Sequence, residues 1–217
     1  MVNHSGKSRD EWITLYMSFM DKVKREGKDE FIKWLINDTD FFDAPASGRF
    51  HCNYQHGLIE HSMNVFNYAK NLYIFSKKNY PDYQTIASES IIISTLHHDI
   101  CKINFYGKEK SWVKHDYKWI DYETYKAGVN DDFPIGHGEK SVIEMLRHGF
   151  TDLTEQEMLA IRHHMGKYGA DTISVDIAMK DPLVKLVHIS DLAVGLVEPT
   201  INYKDLALQK HINLLNR

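Results

Sequence analysis

Seven positions in this chain carry groups able to bind a metal ion: His61, His98, Asp99, His137, His163, His164 and Asp191. Imidazole is the commonest protein metal ligand and titrates near neutrality. Mixed imidazole and carboxylate donors suit a divalent transition metal such as Mn, Fe, Co, Ni or Zn. His61 follows Leu58 by three residues and precedes Val65 by four, so it shares their face if the segment is helical. Asp191 follows Val187 by four and precedes Val194 by three, so it also points inward. An unpaired carboxylate in an apolar core costs several kcal/mol, and a bound cation would remove that cost. Singly, each residue has a plainer reading: a hydrogen-bonded core histidine, a capping aspartate, a salt-bridge partner. His148, His188 and His211 keep that plainer reading. The other seven gain weight from their order and from their recurrence on apolar stripes.

The elements that would position them are mostly helical, because apolar residues recur at spacings of three and four. Helices are expected at 9–26 and 29–37. An aromatic, glycine-punctuated loop follows, and a third helix starts near Gly57. Pro81 stands before a fourth helix, 82–99, apolar almost all round in "IASESIIISTL". Such a helix belongs at the centre of a fold. Residues 103–136 differ: "SWVKHDYKWIDYETYKAG" interleaves aromatic and β-branched residues with polar ones, which predicts an inserted β-hairpin near 108–130. A helix is expected at 138–148. Thr154 and Glu157 form a capping-box pattern opening another, to about 165. "KYGADT" breaks the chain, Pro182 suits the first turn of the next helix, and Pro199 ends it. Residues 200–217 are a tail that could form a last helix. No repeat, low-complexity tract or flexible linker divides the chain. The expectation is one mostly α domain over 1–217, with its core at about 55–198. Residues 9–37 and 200–217 would be extensions and 103–136 an insertion.

The formal net charge of −4 offers no basic track for nucleic acid. Two cysteines, Cys52 and Cys101, with no CxxC pair, argue against a disulfide framework or a cysteine zinc site. "MVNHSGKSRDEW" lacks the apolar stretch of a secretory signal, and no apolar run approaches the ~20 residues of a membrane span. A cytoplasmic protein with no membrane partner is expected.

In order and flanking sequence, the seven residues resemble the HD domain of metal-dependent phosphohydrolases. "GLIEHS" is similar to the segment carrying that superfamily's first histidine, and "LHHDICK" to its "LLHDIGK". "GHGEKS", "IRHH" and "HISDLA" are similar to its later segments, so the resemblance spans roughly 55–198. It implies a helical bundle in which His61, His98, Asp99 and Asp191 hold one ion. His98, directly before Asp99, is then the ligand and His97 a neighbour. Binuclear members add a second ion on three more histidines. His137, His163 and His164 stand where those occur, so one or two ions per chain are implied. The alternative is a mononuclear site with these histidines binding phosphate or shuttling protons. Lys102 resembles a lysine that contacts substrate phosphate, with a plain surface lysine as the alternative. Cys101 replaces a common glycine. "HHMGKYGADTIS" lacks the Gly-Tyr-Pro of the cyclic-dinucleotide branch, and "INFYGKEK" lacks the Glu-Asp pair of the guanosine-polyphosphate branch.

The chemistry implied is hydrolysis of a phosphate ester by metal-activated water. Asp99, Lys102 and His164 would be catalytic, His164 as general acid where it is not a ligand. Lys102, Arg162 and Lys140 would bind the substrate and offset its negative charge. The aromatics and lysines of the insertion, Tyr106 to Trp119, lean the substrate class toward a small-molecule nucleotide, although they could simply cover the core. A di-iron oxygenase on the same scaffold and a non-catalytic metal-stabilised binding module are the competing functions.

Overall fold

The computed structural model describes residues 3–129, 131, 133–168 and 172–215. Helix α1 (Arg9–Met20) opens with a reciprocal cap. The Glu11 amide donates to the Ser8 hydroxyl, and the Ser8 amide donates to the Glu11 carboxylate. Its apolar spacing buries Trp12, Tyr16 and Met20. The helix stops short of the expected residue 26. Beyond it, the Arg25 guanidinium is committed to the carboxylates of Glu89 and Glu157, at 2.9 and 2.8 Å. Helix α2 (Lys28–Asn37) follows and buries Phe31, Ile32 and Leu35. Trp12, Tyr16 and Phe31 lie in the same core as Leu58, Leu96 and Leu186, so the first two helices are built into the main core.

Helix α3 (Gly57–Asn79) starts where the chain turns in from the aromatic loop. A Cβ at Gly57 would run into the Cys52 carbonyl, so only glycine permits this close approach. The expected helix 82–99 is divided. Pro81–Thr85 is a 3-10 turn, Ile86 and Ala87 are extended, and α4 runs from Ser88 to His97. Proline presets the first turn but disfavours a helical residue before it, and Tyr80 is extended accordingly. Every residue of α4 from Ser90 to His97 is buried. It sits against α3, α6 (Glu155–Arg162) and α8 (Pro182–Val197), the central position its composition requires.

The inserted hairpin is present: β1 (Gly107–His115) pairs antiparallel with β2 (Lys118–Lys126), Val113 opposite Ile120. Asp116 and Tyr117 turn it with positive φ at both positions, as a tight two-residue loop demands. The sheet ends at Lys126; the expected end at residue 130 lies outside the described residues. Helix α5 (His137–Arg147) crosses the buried turn after α4. There Ser141 donates to the His98 carbonyl at 2.7 Å and receives the Cys101 amide at 3.1 Å.

The Thr154–Glu157 capping box opens α6 as expected. That helix ends at Arg162 instead of 165, because His163 already leaves helical geometry and Gly166 turns with φ +57°. A short helix not anticipated from the sequence, α7 (Thr172–Ala178), precedes α8. Residues 169–171 of the expected break lie outside the described residues. Asp181 caps α8 with Pro182 in its first turn. The tail forms α9 (Tyr203–Leu215), packed on the hairpin. Residues 216 and 217 lie outside the described residues. The architecture is thus mostly α with one small two-stranded antiparallel sheet. No helix among the described residues is long and apolar enough to cross a membrane.

Candidate metal centre

Four helical segments deliver five side chains to one buried point. His61 comes from the second turn of α3, His98 and Asp99 from the turn ending α4, His164 from just past α6, and Asp191 from the middle of α8. Nε2 of His61 lies 3.3 Å from Nε2 of His98, 3.1 Å from Asp191 Oδ1 and 3.7 Å from Asp99 Oδ2. Nε2 of His98 lies 3.4 Å from Asp99 Oδ2, and Nε2 of His164 lies 3.5 Å from Asp99 Oδ1. The three histidines are fully buried, and Asp99 is almost so. Among the described residues, His61, His98 and Asp99 form one grouping able to hold an ion, and His98, His164 and Asp191 form another.

What the opposite ring nitrogens do decides how these imidazoles face the centre. Nδ1 of His98 pairs with the Thr95 carbonyl at 2.8 Å, and Nδ1 of His164 with the Ile161 carbonyl at 2.7 Å. A carbonyl can only accept, so each Nδ1 donates. Nδ1 of His61 donates to Glu198 Oε2 at 2.7 Å. In the neutral rings all three Nε2 atoms therefore present lone pairs inward, alongside two carboxylates. Such a cluster of acceptors needs a cation or protons at its centre. Asp99 Oδ1 and His164 Nε2 are buried with no hydrogen-bond partner. The donor set fits a divalent transition ion.

Without an ion, protons fill that role. Burial alone would lower the pKa of His61, but Asp191 and Glu198 override it and hold the ring up at about 10. His164 is likewise raised: burial opposes this, and Asp99 outweighs it. Burial would raise Asp99 and Asp191. Their neighbours win: Lys102 above all holds Asp99 well below the carboxylate range, and His61 does the same for Asp191. Lys102 Nζ donates to Asp99 Oδ2 at 2.6 Å, and that carboxylate keeps Lys102 above its usual value in spite of burial.

The other expected site residues are placed less uniformly. His137, at the start of α5, lines the cleft in front of the centre but joins none of the groupings. His163 turns the other way, its Nε2 2.9 Å from an Arg162 nitrogen that donates to it. Arg162 also binds Glu139 at 2.9 Å, and Lys140 binds Asp131 at 2.6 Å. Neither cation lines the cleft, because each has a carboxylate partner elsewhere. His97 is buried beside His98 but faces the core, hydrogen-bonded to the Tyr16 hydroxyl at 2.8 Å and edge-on to Phe31.

Two neighbours of the centre escaped sequence reasoning. Glu198 holds His61 with one oxygen and receives the Asn64 amide with the other, at 2.9 Å. It follows Asp191 by seven residues, two helical turns on the same face, so its spacing did carry a signal. His51 packs its ring against His61 with centroids 4.8 Å apart. It lies in an irregular loop, where spacing says nothing. The cleft itself holds about 860 Å³ between the 46–51 loop, the base of the hairpin and the centre. Arg49, Lys102 and Lys126 line it together with Glu109, Phe105 and Tyr106, and Lys126 is paired with Glu109 at 2.9 Å.

No family model matches the chain, and no curated protein or solved structure matches it.

Proposed function

We propose that the protein is a metal-dependent phosphohydrolase of the HD-domain type, acting on a nucleotide or related small phosphate ester. One observation carries this reading: His61, His98, Asp99, His164 and Asp191 converge with every Nδ1 tied back, and Asp99 and Asp191 open onto a cleft that also holds Lys102 and Arg49. When bound, a divalent ion supplies a Lewis acid that polarises the phosphoryl group and lowers the pKa of water. Asp99 has one oxygen toward His164 and the other toward His61 and His98, so it would help to hold an ion beside either set of histidines. Lys102 sets a positive charge at the cleft floor, where a phosphoryl oxygen gathers negative charge. His137 lines the same cleft and is placed to carry a proton to or from the leaving oxygen. Phe105 and Tyr106 offer aromatic faces for a base.

Metal analysis of the purified protein tests the reading, together with a screen of nucleotides, cyclic nucleotides and nitrophenyl phosphates under Mn, Co, Ni and Mg. The expected result is bound transition metal and turnover that vanishes on chelation and in Asp99→Ala. Hydrolysis that persists unchanged after complete metal removal sinks the mechanism. Iron with oxygen-dependent turnover moves the protein to the oxygenase reading.

A further inference from the structure

The centre opens onto two clefts of different character. Besides the first, whose walls carry charges of both signs, a second cleft of about 320 Å³ reaches His164 and Asp191. Phe50, His51, Met165 and Asp191 are walls common to both, so the centre lies at their junction. The second cleft contains no lysine or arginine and is faced by Leu192, Leu196 and Tyr168. Leu192 and Leu196 are 53% and 78% exposed, although each sits one helical turn or less from a candidate ligand or its cleft wall. Gly195 lies between them. A Cβ there would stand 3.5 Å from the His51 ring, so the glycine leaves the cleft floor open.

We propose that this second cleft is a subsite for an uncharged, apolar substituent, alkyl or aryl, carried by the phosphate ester. The inference rests on the phosphohydrolase reading and narrows its substrate class. A phosphoryl group seated on the donors of the centre touches both clefts. Its anionic oxygens are drawn to the side of Lys102 and Arg49. On the other side no lysine or arginine among the described residues is there to hold an anion. An apolar substituent there covers leucines that are otherwise wet, which is favourable in proportion to the area covered. The volume suits an aromatic ring or a short chain and lies at the small end of ligand cavities.

Phosphonates test this without turnover, since water does not cleave their carbon–phosphorus bond. Methyl-, butyl- and phenylphosphonate are titrated calorimetrically into the Mn-loaded full chain. The same titrations are run on the Leu192→Asn/Leu196→Asn double variant, whose exposed positions leave the core intact. Butyl- and phenylphosphonate are expected to bind at least ~10-fold tighter than methylphosphonate, as a few buried methylenes should give. In the double variant the preference falls to within about twofold, with methylphosphonate unchanged. Equal affinities for all three in the parent protein overturn the subsite and leave the phosphohydrolase reading standing. Failure to bind any phosphonate or inorganic phosphate overturns both. A dimer in sedimentation that the double variant abolishes, with no alkyl preference, assigns the leucines to a second copy and also overturns the subsite.

Discussion

His97 and His98 are neighbours in sequence with opposite duties, and the difference lies in what each Nε2 meets. That of His97 receives the Tyr16 hydroxyl inside the core, while that of His98 faces His61 and Asp99. His98→Ala is expected to abolish tight metal binding. His97→Ala should leave metal stoichiometry unchanged but cost about 2–4 kcal/mol in stability, through a cavity and an orphaned hydroxyl. Metal analysis and urea melts separate the two. Glu198→Gln leaves one neutral acceptor oxygen for His61, and the Asn64 amide must turn over to accept from the new NH2. Metal affinity should fall about 10- to 100-fold with the fold intact, measured by cobalt titration. An affinity within twofold of the parent would remove Glu198 from the centre. At this scale the sequence was informative where a residue lay on a helical stripe, as His61 and Asp191 do. It could not tell which way His163 faces, because chain adjacency to His164 says nothing about direction once a helix has ended. It also offered Arg162 and Lys140 for substrate, since their partners Glu139 and Asp131 are made near by the turn of α5, not by any motif.

Among the elements, α4 is the post and α6 the part that must be aligned to it. Glu157, fully buried, ties them: it receives Ser90 of α4 at 2.6 Å and Arg25 at 2.8 Å, and its other oxygen caps its own helix. Arg25→Met strips the counter-charge from a buried carboxylate. The expected cost is about 3–5 kcal/mol, seen as a lower denaturation midpoint. Because α6 carries His164, cobalt affinity should weaken as well; a midpoint shift under about 0.5 kcal/mol would show that the ion pair is dispensable. The capping box at Thr154 was legible because its signature is local. The buried role of Glu157 was not, because its partners come from residues 25 and 90. The same limit explains α7 and the division at Pro81. Short helical turns depend on what they rest against, and helix period alone does not mark them.

For the molecule as a whole, two histidines give the metal-free fold opposite responses to pH. His61 titrates near 10 in the fold against 6.5 as a free group, so its contribution is complete below pH 6.5 and fades as pH rises through 10. His97 is pushed down by burial to about 3, so stability is lost as pH falls below 6.5 and the unfolded chain takes up the proton. Chelator-treated protein should therefore melt highest near pH 6.5 and lower at both pH 5 and pH 9. A melting temperature flat from 6.5 to 9 would contradict the assignment of His61. A bound ion must displace the His61 proton. Metal affinity should thus rise at least about tenfold per pH unit across that range, with one proton released per ion from His61 and a further share from His164 toward pH 6.5 in a pH-stat titration.

His61 and the glutamate that holds it are 137 residues apart in the chain; Asp191 shares the glutamate's stretch, and the remaining donors come from two others. No segment contains more than two of the donors, so a nascent or half-collapsed chain has little with which to capture an ion. Acquisition then comes last in time: closing such long loops is slow, and only the finished bundle brings the donors together. A cobalt absorption band followed during refolding should lag behind the helical signal, making metal capture a clock for the final docking of α8.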